Sequence, residues 1–298
     1  MENINIGMIG ISEGNGHPYS WSAIINGYDE EHMKSCPFPV IPEYLGKQTW
    51  PESAISNATV SSIWTQDERI SKQIAKASNI KNICKNIESL KSCDCIMLAR
   101  DDYKNHLRHS KFFLEKGIPI YIDKPIATSI DDLDELYSYQ KYEGQIFTCS
   151  ALRFCSDLKI KQEEKSLIGE IQSIKAITPK DWEKYSIHVI EPVLNLIPNQ
   201  YDIKSSKLTN HGSSKQLDVI WNSNIITTFI STGDNKQSFE IEVIGSLGKI
   251  VLKHKNTFSA FKNAIEVFLR GVRQKTIESP KEYNRIAVDI ISRGIKKS

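Results

Sequence analysis

The sequence lacks the features of an exported, membrane-bound or nucleic-acid-binding protein. Residues 1–6 carry neither the positive charge nor the apolar core of a secretory signal, and no later run approaches the roughly 18 apolar residues of a membrane span. The 38 Lys and Arg residues are interleaved with 36 Asp and Glu residues, so no basic stripe indicates nucleic acid. We therefore expect a cytoplasmic protein that binds small molecules, without nucleic-acid or membrane partners.

No C-x-x-C pair occurs among the six cysteines. They are Cys36, Cys84, Cys93, Cys95, Cys149 and Cys155. Several lie in apolar, strand-like segments, where a thiol packs as a small hydrophobic group. The spacing matches neither a disulfide framework nor a zinc site, so we expect no bound metal.

Strands and helices alternate through the first half of the chain. The predicted strands are 4–10, 59–65, 83–86, 94–99, 118–122 and 145–150. The helices of roughly ten to fifteen residues between them favour parallel pairing, which predicts a doubly wound α/β Rossmann sheet. Ligands bind such sheets at the carboxyl ends of the strands.

Residues 32–57 interrupt this alternation. The segment contains four prolines and shows no clear hydrophobic period. It is long for a connection, and we interpret it either as a surface excursion or as a subunit-contact or substrate-gating segment.

The second half has short strands joined by turn residues, which predicts an α+β domain with a mostly antiparallel sheet. The predicted strands are 170–178, 203–210, 216–221, 225–232, 239–245 and 249–253, and helices follow at 259–270 and 280–297. We expect a dinucleotide-binding domain over residues 1–150 and a substrate-binding domain over residues 151–298. The last helix, 280–297, is a candidate to pack back on the first domain.

One short strand has chemistry at its end. Residues 118–122 are apolar and lead directly into Asp123-Lys124-Pro125. Because proline stops the strand ladder, this sequence predicts an ammonium group fixed at the carboxyl edge of the sheet, where ligands bind.

This arrangement resembles the Gfo/Idh/MocA family of nicotinamide-dependent oxidoreductases over nearly the whole chain. Asp123-Lys124-Pro125 corresponds to the Glu-Lys-Pro hallmark of that family. The second hallmark is a histidine at the start of a helix, and His188, in the segment 185–192, corresponds to it. The resemblance implies an NAD(P)-dependent enzyme that transfers hydride from or to a CH-OH group. It also implies a substrate that is a sugar, a sugar nucleotide or a related polyol, with a role in glycan or amino-sugar biosynthesis.

The two hallmark residues suit this chemistry. A histidine can move the hydroxyl proton at neutral pH, and we predict that His188 is the acid/base. A lysine can stabilise developing alkoxide or orient the cofactor, and we predict this role for Lys124. Asp123 either hydrogen-bonds near the cofactor or offsets the charge of Lys124.

The predicted cofactor loop departs from the usual glycine pattern. Gly10, Gly14 and Gly16 are present, but Ser12 stands where the second signature glycine is expected. After the second strand, Thr65 takes the place of the acid that binds the ribose hydroxyls of NAD, and Asp67 follows two residues later. NAD and NADP both remain candidate cofactors.

A second departure precedes His188. Many family members have an aspartate four residues before the histidine, and this chain has Lys184 there. Tyr185 and Glu191 are candidate substitutes for the missing aspartate. An equally favoured interpretation is that Glu191 only holds a substrate hydroxyl or makes a helix contact.

The remaining substrate candidates are less specific. Arg153, together with Lys180, could bind an anionic group, and Trp182 or Tyr185 could stack on a sugar ring, but each could also be a packing or solvated residue. A competing interpretation is a non-catalytic nucleotide-binding regulator or scaffold of the same fold, and an intermediate one is transient cofactor use in elimination or epimerisation. We also expect a homo-oligomer formed through the C-terminal sheet.

Overall fold

The computed structural model describes residues 2–197, 201–235 and 237–295. It separates into two compact units. The first contains Met1–Ala127, Asp134–Thr148 and Thr257–Lys281, and the second contains Thr128–Leu133, Cys149–Asn256 and Glu282–Ser298. The predicted domain boundary at residue 150 stays a prediction. Residues 257–281 group with the first unit. Residues 296 and 297 of the predicted last helix lie outside the described residues.

The first unit contains a six-stranded parallel sheet. Its strands are β1 (Ile4–Ile9), β2 (Ala58–Trp64), β3 (Asn82–Ile83), β4 (Cys95–Leu98), β5 (Ile120–Ile122) and β6 (Ile146–Phe147). Their order is β3-β2-β1-β4-β5-β6, and every pairing is parallel. This confirms the predicted doubly wound sheet, with the crossing point between β1 and β4 where such sheets bind ligands.

Eleven α-helices are present in the described part of the chain. They are α1 (His17–Asn26), α2 (Glu30–Met33), α3 (Val40–Leu45), α4 (Glu68–Ala77), α5 (His106–Glu115), α6 (Ile130–Ser138), α7 (Gln162–Ile168), α8 (Trp182–Tyr185), α9 (Ile187–Leu194), α10 (Thr257–Gln274) and α11 (Lys281–Ile295). Helix α1 begins at His17, and Pro18 fits the first turn of a helix. None of the described helices combines the length and apolar character that a bilayer span needs.

The proline-rich segment that interrupts the predicted alternation contains α3 and part of α2. Ile41, Tyr44 and Leu45 of α3 are buried, and the Tyr44 hydroxyl donates to Ser20 Oγ on α1. The segment therefore contributes to the core of the first unit. Its helices are too short to show a hydrophobic period, which explains why the sequence pattern did not reveal them.

An aromatic cluster lies against one face of the first sheet. The ring of Trp21 on α1 stacks on Tyr121 of β5 with centroids 4.7 Å apart, and Tyr121 also contacts Phe147 of β6 at 4.7 Å and Phe268 of α10 at 5.5 Å. Such pairs add to the free energy of burying large apolar surfaces. This packing fixes β5, the strand that ends at Asp123 and Lys124.

The second unit contains the mixed sheet that was predicted to be mostly antiparallel. Its strands are β7 (Ile171–Thr178), β8 (Ile203–His211), β9 (Ser214–Trp221), β10 (Ile226–Ser231), β11 (Glu240–Gly245) and β12 (Lys249–Leu252). Their order is β12-β11-β7-β10-β9-β8, and only the β7–β10 pair is parallel among these strands. The predicted fold class is therefore confirmed for both halves of the chain.

Side chains alternate between the two faces of the second sheet. Ile174, Ala176, Val219 and Phe229 are at most 1% exposed and face the core. Some apolar residues of this sheet are exposed. Ile226 of β10 and Ile220 of β9 are both exposed, and they lie opposite each other on neighbouring strands. The homo-oligomer predicted through this sheet stays a prediction.

A close helix-to-indole contact holds α11 in the second unit. The ring of Trp182 is buried, its Nε1 donates to the carbonyl oxygen of Ile291 at 2.8 Å, and a Cβ added at Gly294 would overlap the same ring. Gly294 is therefore required by packing, although glycine is a poor residue inside a helix.

We predict that Gly294→Ala lowers the free energy of unfolding by about 1–3 kcal/mol, because the added methyl group overlaps the indole. An unstrained helix would instead gain about 0.5–1 kcal/mol from the same change. Gly271→Ala on α10 is the control. Its Cβ would meet the flexible side chain of Glu278 and a carbonyl at 3.1–3.2 Å, whereas a Cβ at Gly294 would lie only 2.0–2.3 Å from the atoms of the indole. Calorimetric and urea unfolding of both variants measure the difference, and a stabilised Gly294→Ala would contradict the contact.

Candidate active site

The loops that follow β1, β4 and β5 meet at the carboxyl edge of the first sheet. His106 of α5 connects two of them, with Nε2 2.7 Å from the carbonyl oxygen of Arg100 and Nδ1 3.0 Å from that of Ile126. His106 is 1% exposed. The positions of these loops are therefore set by buried hydrogen bonds.

Asp123 is the most constrained acid of this edge. Its carboxylate is fully buried and accepts hydrogen bonds from Asn15 Nδ2 at 2.8 Å, from His17 Nδ1 at 2.6 Å and from the Lys124 amide at 2.7 Å. Burial alone would raise the pKa of Asp123, but His17, Lys124 and Asn15 together hold this pKa well below its usual range. Because an ionised carboxylate only accepts, Nδ1 of His17 carries the proton.

Lys124 is nearly buried beside a second acid. Its Nζ lies 3.9 Å from Asp101 Oδ2, and both side chains are 8% exposed. Asp101 comes from the loop after β4, and its Oδ1 accepts from Ser12 Oγ at 2.7 Å while Ser12 Oγ accepts from the Asp101 amide at 3.1 Å. The hydroxyl that replaces the expected glycine is therefore engaged with the β4 loop.

The loop between β1 and α1 leaves donors for an anion. Four of its backbone N–H groups donate to no acceptor in the described part of the chain, those of Ser12, Glu13, Gly14 and Gly16. Gly14 has φ +74° and open space where a Cβ would stand, and the N-cap residue of α1, Gly16, has no side chain, while Asn15 Oδ1 accepts from the His17 amide at 2.8 Å. Unpaired amides next to a helix N-terminus favour a phosphate group, so the residues present fit the pyrophosphate of a dinucleotide.

The end of β2 is occupied by local hydrogen bonds. Thr65 Oγ1 donates to the carbonyl oxygen of Asp67 at 2.6 Å, and the Asp67 carboxylate caps α4 and accepts from the guanidinium of Arg69 at 3.0–3.3 Å. Arg69 is largely exposed. Gln66, which was not predicted, accepts from the Ile11 amide at 3.2 Å and donates to the Ile11 carbonyl at 2.8 Å, which ties β2 to the glycine-containing loop.

His188 lies in the first turn of α9 in the second unit. Its Nδ1 is 2.7 Å from Ser150 Oγ, and Ser150 is fully buried. The ring of Tyr185 is 5.7 Å from the His188 ring. Ser150, which sequence reasoning missed, therefore fixes the orientation of the imidazole.

Glu191 lies one turn after His188 and is 2% exposed. Its Oε2 accepts from the Ser150 amide at 2.5 Å, and its Oε1 lies 3.9 Å from the guanidinium of Arg153. Burial raises the pKa of Glu191 to about 7, against the opposing effects of Arg153 and the Ser150 amide. Glu191 thus holds the residue that orients His188.

Three other predicted substrate residues have structural partners. Arg153 is 8% exposed, and its guanidinium carbon lies 3.8 Å from the ring centroid of Tyr283. The indole of Trp182 is 2% exposed and anchors α11, so it has no open face for a sugar ring. Tyr185 keeps a partly exposed ring, and its hydroxyl accepts from Lys180 Nζ at 2.7 Å.

Comparison with known proteins identifies the class to which this arrangement belongs. Residues 4–150 match GFO_IDH_MocA, an oxidoreductase family with an NAD-binding Rossmann fold. The Rossmann half of the chain therefore matches the Gfo/Idh/MocA oxidoreductases, which confirms the predicted resemblance. A search of curated proteins by sequence gives no match.

Solved structures extend the similarity of fold to the whole chain. A myo-inositol dehydrogenase from Corynebacterium glutamicum has a TM-score of 0.72 at 12% identity, with 98% of this chain and 96% of that chain covered. UDP-N-acetylglucosamine 3-dehydrogenase from Acidithiobacillus ferrooxidans has a TM-score of 0.71 at 10% identity, with 99% and 97% covered. GenD2 from gentamicin A biosynthesis, solved in complex with NAD, has a TM-score of 0.71 at 10% identity, with 99% and 94% covered.

The raised pKa of Glu191 predicts a pH-dependent stability. The folded protein retains a proton on Glu191 that the unfolded chain releases above its ordinary pKa, so this contribution is complete below about pH 4.5 and declines as the pH rises through about 7. A shift of this size corresponds to about 3 kcal/mol. We expect Glu191→Gln, which keeps an acceptor for the Ser150 amide, to reduce the loss of stability between about pH 5 and 8.

Urea unfolding at several pH values measures this effect. Glu170→Gln is the control, because Glu170 is an exposed glutamate of the same unit. Parallel pH profiles for wild type and Glu191→Gln would show that Glu191 ionises normally.

Proposed function

We propose that the protein is an NAD(P)-dependent oxidoreductase that transfers hydride between the cofactor and a CH-OH group of a sugar, a sugar nucleotide or a related polyol. The observation that carries the proposal is the nearly buried Lys124, placed directly after the ionised Asp123 at the carboxyl edge of a Rossmann sheet. A buried ammonium at this edge costs solvation free energy, and its retention there suits a role in binding or catalysis.

The cofactor would be held by the loop after β1. The amides of Ser12, Gly14 and Gly16 would bind the pyrophosphate, and Thr65 and Asp67 lie at the end of β2, where ribose hydroxyls are recognised in this fold. A nicotinamide dinucleotide, when bound, supplies the hydride acceptor or donor. Asp123 keeps its negative charge and holds Asn15 and His17 in place, so it organises the loop.

His188 moves the substrate proton. Its Nδ1 is engaged by Ser150, and the other ring nitrogen, Nε2, exchanges the proton with the hydroxyl that is oxidised. Ser150 is in turn fixed by the buried Glu191. Lys124 stabilises the negative charge that develops on the substrate oxygen, or orients the cofactor, through its ammonium group.

The class of substrate is supported by the neighbouring folds. Two of them are named as dehydrogenases of myo-inositol and of UDP-N-acetylglucosamine, which are a polyol and a sugar nucleotide. Tyr185, with its ring near His188 and its hydroxyl bound by Lys180, is the residue through which a sugar would be contacted.

Cofactor binding is tested first. We expect NADH or NADPH fluorescence to change saturably on titration with the purified protein, and Gly14→Asp to weaken this binding, because its carboxylate would repel the pyrophosphate and Gly14 has positive φ. Gly212→Asp in the turn after β8 is the control, since Gly212 also has positive φ and open space. Absence of binding by both nucleotides would refute the proposed enzyme.

Turnover is tested next with a panel of polyols, sugars and nucleotide sugars. We expect Lys124→Met and His188→Ala each to lower kcat by about 10²-fold or more, the usual contribution of a positioned acid/base, while the nucleotide still binds to His188→Ala. Lys76→Ala and His211→Ala, at exposed positions, are the controls and should keep wild-type rates. Circular dichroism verifies that each variant is folded.

The two tests separate the proposed enzyme from the competing regulator or scaffold. Turnover retained in both Lys124→Met and His188→Ala would reject the proposed catalytic residues. Nucleotide binding without turnover over the whole panel would favour the non-catalytic interpretation.

A further inference from the structure

A cluster of three metal-ligating side chains lies in the second unit, apart from His188 and its partners. Cys155 lies between two short 3₁₀ turns, Ala151–Phe154 and Ser156–Leu158, Asp157 belongs to the second of them, and His254 follows the end of β12. Ligand atoms of the three residues all lie within 4.8 Å of one another. It is the one group of this kind over the described residues.

The two distances from the Cys155 sulfur are close to the edges of a coordination tetrahedron. Cys155 Sγ is 3.4 Å from His254 Nδ1 and 3.8 Å from Asp157 Oδ2. Tetrahedral zinc with its usual bond lengths of about 2.0–2.3 Å separates a sulfur ligand from a nitrogen or oxygen ligand by about 3.5 Å. The three groups are therefore placed as ligands are around one ion.

A thiol hydrogen bond accounts for only part of this arrangement. The single S–H of Cys155 can donate to His254 or to Asp157, but not fully to both. Two other buried cysteines, Cys36 and Cys93, face a carbonyl and a serine hydroxyl at 3.9 Å. Cys155 differs in facing an imidazole and a carboxylate at once.

The surroundings prepare the three groups for a cation. Asp157 Oδ2 accepts from the amides of Lys255 and Asn256 at 3.0 and 3.3 Å, which fixes the carboxylate to the segment that carries His254. Hydrogen bonds of this kind orient ligands in metal sites.

We propose that Cys155, Asp157 and His254 form a Zn²⁺ site, with water as the fourth ligand. A thiolate, an imidazole and a carboxylate together favour zinc over the hard cations Mg²⁺ and Ca²⁺. The binding step replaces the S–H bond of Cys155 by a Zn–S bond and releases one proton to solvent, with no change in oxidation state. The proposal is independent of the dehydrogenase function.

The site has a route to solvent. Cys155 lines a cavity of about 670 Å³ that Arg153, Lys159 and Lys165 also line. An ion can therefore reach the sulfur although Cys155 is 3% exposed. Once bound, the ion would join two segments 99 residues apart in sequence, which predicts a more stable second unit.

Metal binding to untagged protein tests the site. The protein is treated with a chelator, titrated with Co²⁺ and then with Zn²⁺, and its metal content is measured by mass spectrometry. We expect one metal per chain, a thiolate-to-cobalt absorption band that Zn²⁺ abolishes, and a thermal midpoint that rises with Zn²⁺.

Two variants identify the ligands. We expect Cys155→Ser and His254→Gln each to lose the cobalt band and to weaken Zn²⁺ binding by more than about 10-fold. Loss of a residue that only hydrogen-bonds to a metal ligand usually weakens binding by about 10-fold or more, so loss of a ligand should have at least this effect. Cys93→Ser and His211→Ala are the matched controls and should bind as wild type. A chain that binds neither ion has only a thiol hydrogen bond at this position, and binding unchanged in both ligand variants would place the ion elsewhere; either result overturns the proposal.

Discussion

The candidate cofactor loop depends on one buried carboxylate. Asp123 has no exposed surface, and an isolated charge in that position would be strongly destabilising. Its stability therefore requires the donors from Asn15, His17 and the Lys124 amide, and those donors come from the loop after β1, the start of α1 and the segment after β5. Because both loops must be in place to neutralise the charge, the carboxylate couples the conformation of the glycine-containing turn to the strand that carries Lys124.

The second unit uses a buried carboxylate in the opposite way. Glu191 also accepts from a backbone amide, but the guanidinium of Arg153 is 3.9 Å away, and the pKa of Glu191 is raised. Asp123 has three close donors that hold its pKa low, whereas burial raises the pKa of Glu191 to about 7. The difference follows from the number and distance of donors, since both groups are almost completely buried. Asp123 therefore holds its neighbours through its negative charge, whereas Glu191 acts mainly by accepting a hydrogen bond from the Ser150 amide.

The sequence was sufficient for the architecture and for single residues at strand ends, but not for their partners. Period and turn residues located the six parallel strands, and the apolar strand before Lys124 placed it at the correct edge. His17, Asp101 and Ser150 were missed because each acts through a residue 38 to 106 positions away, which no local pattern reports. Trp182 was a candidate for stacking on a sugar ring because an aromatic residue near a predicted site can either stack on a ligand or pack in the core. Only its exposure of 2% distinguishes packing from stacking.

The single parallel pair in the second sheet has a consequence for His188. Parallel neighbours cannot be joined by a hairpin and need a long connection that returns the chain to the same end of the sheet. Between β7 and β10 that connection contains α8, α9, β8 and β9. The helix that carries His188 is thus part of a return path that the strand order makes compulsory. A deletion of α9 would shorten the connection between β7 and β10, so it would alter the path of the chain back to the sheet as well as remove the histidine.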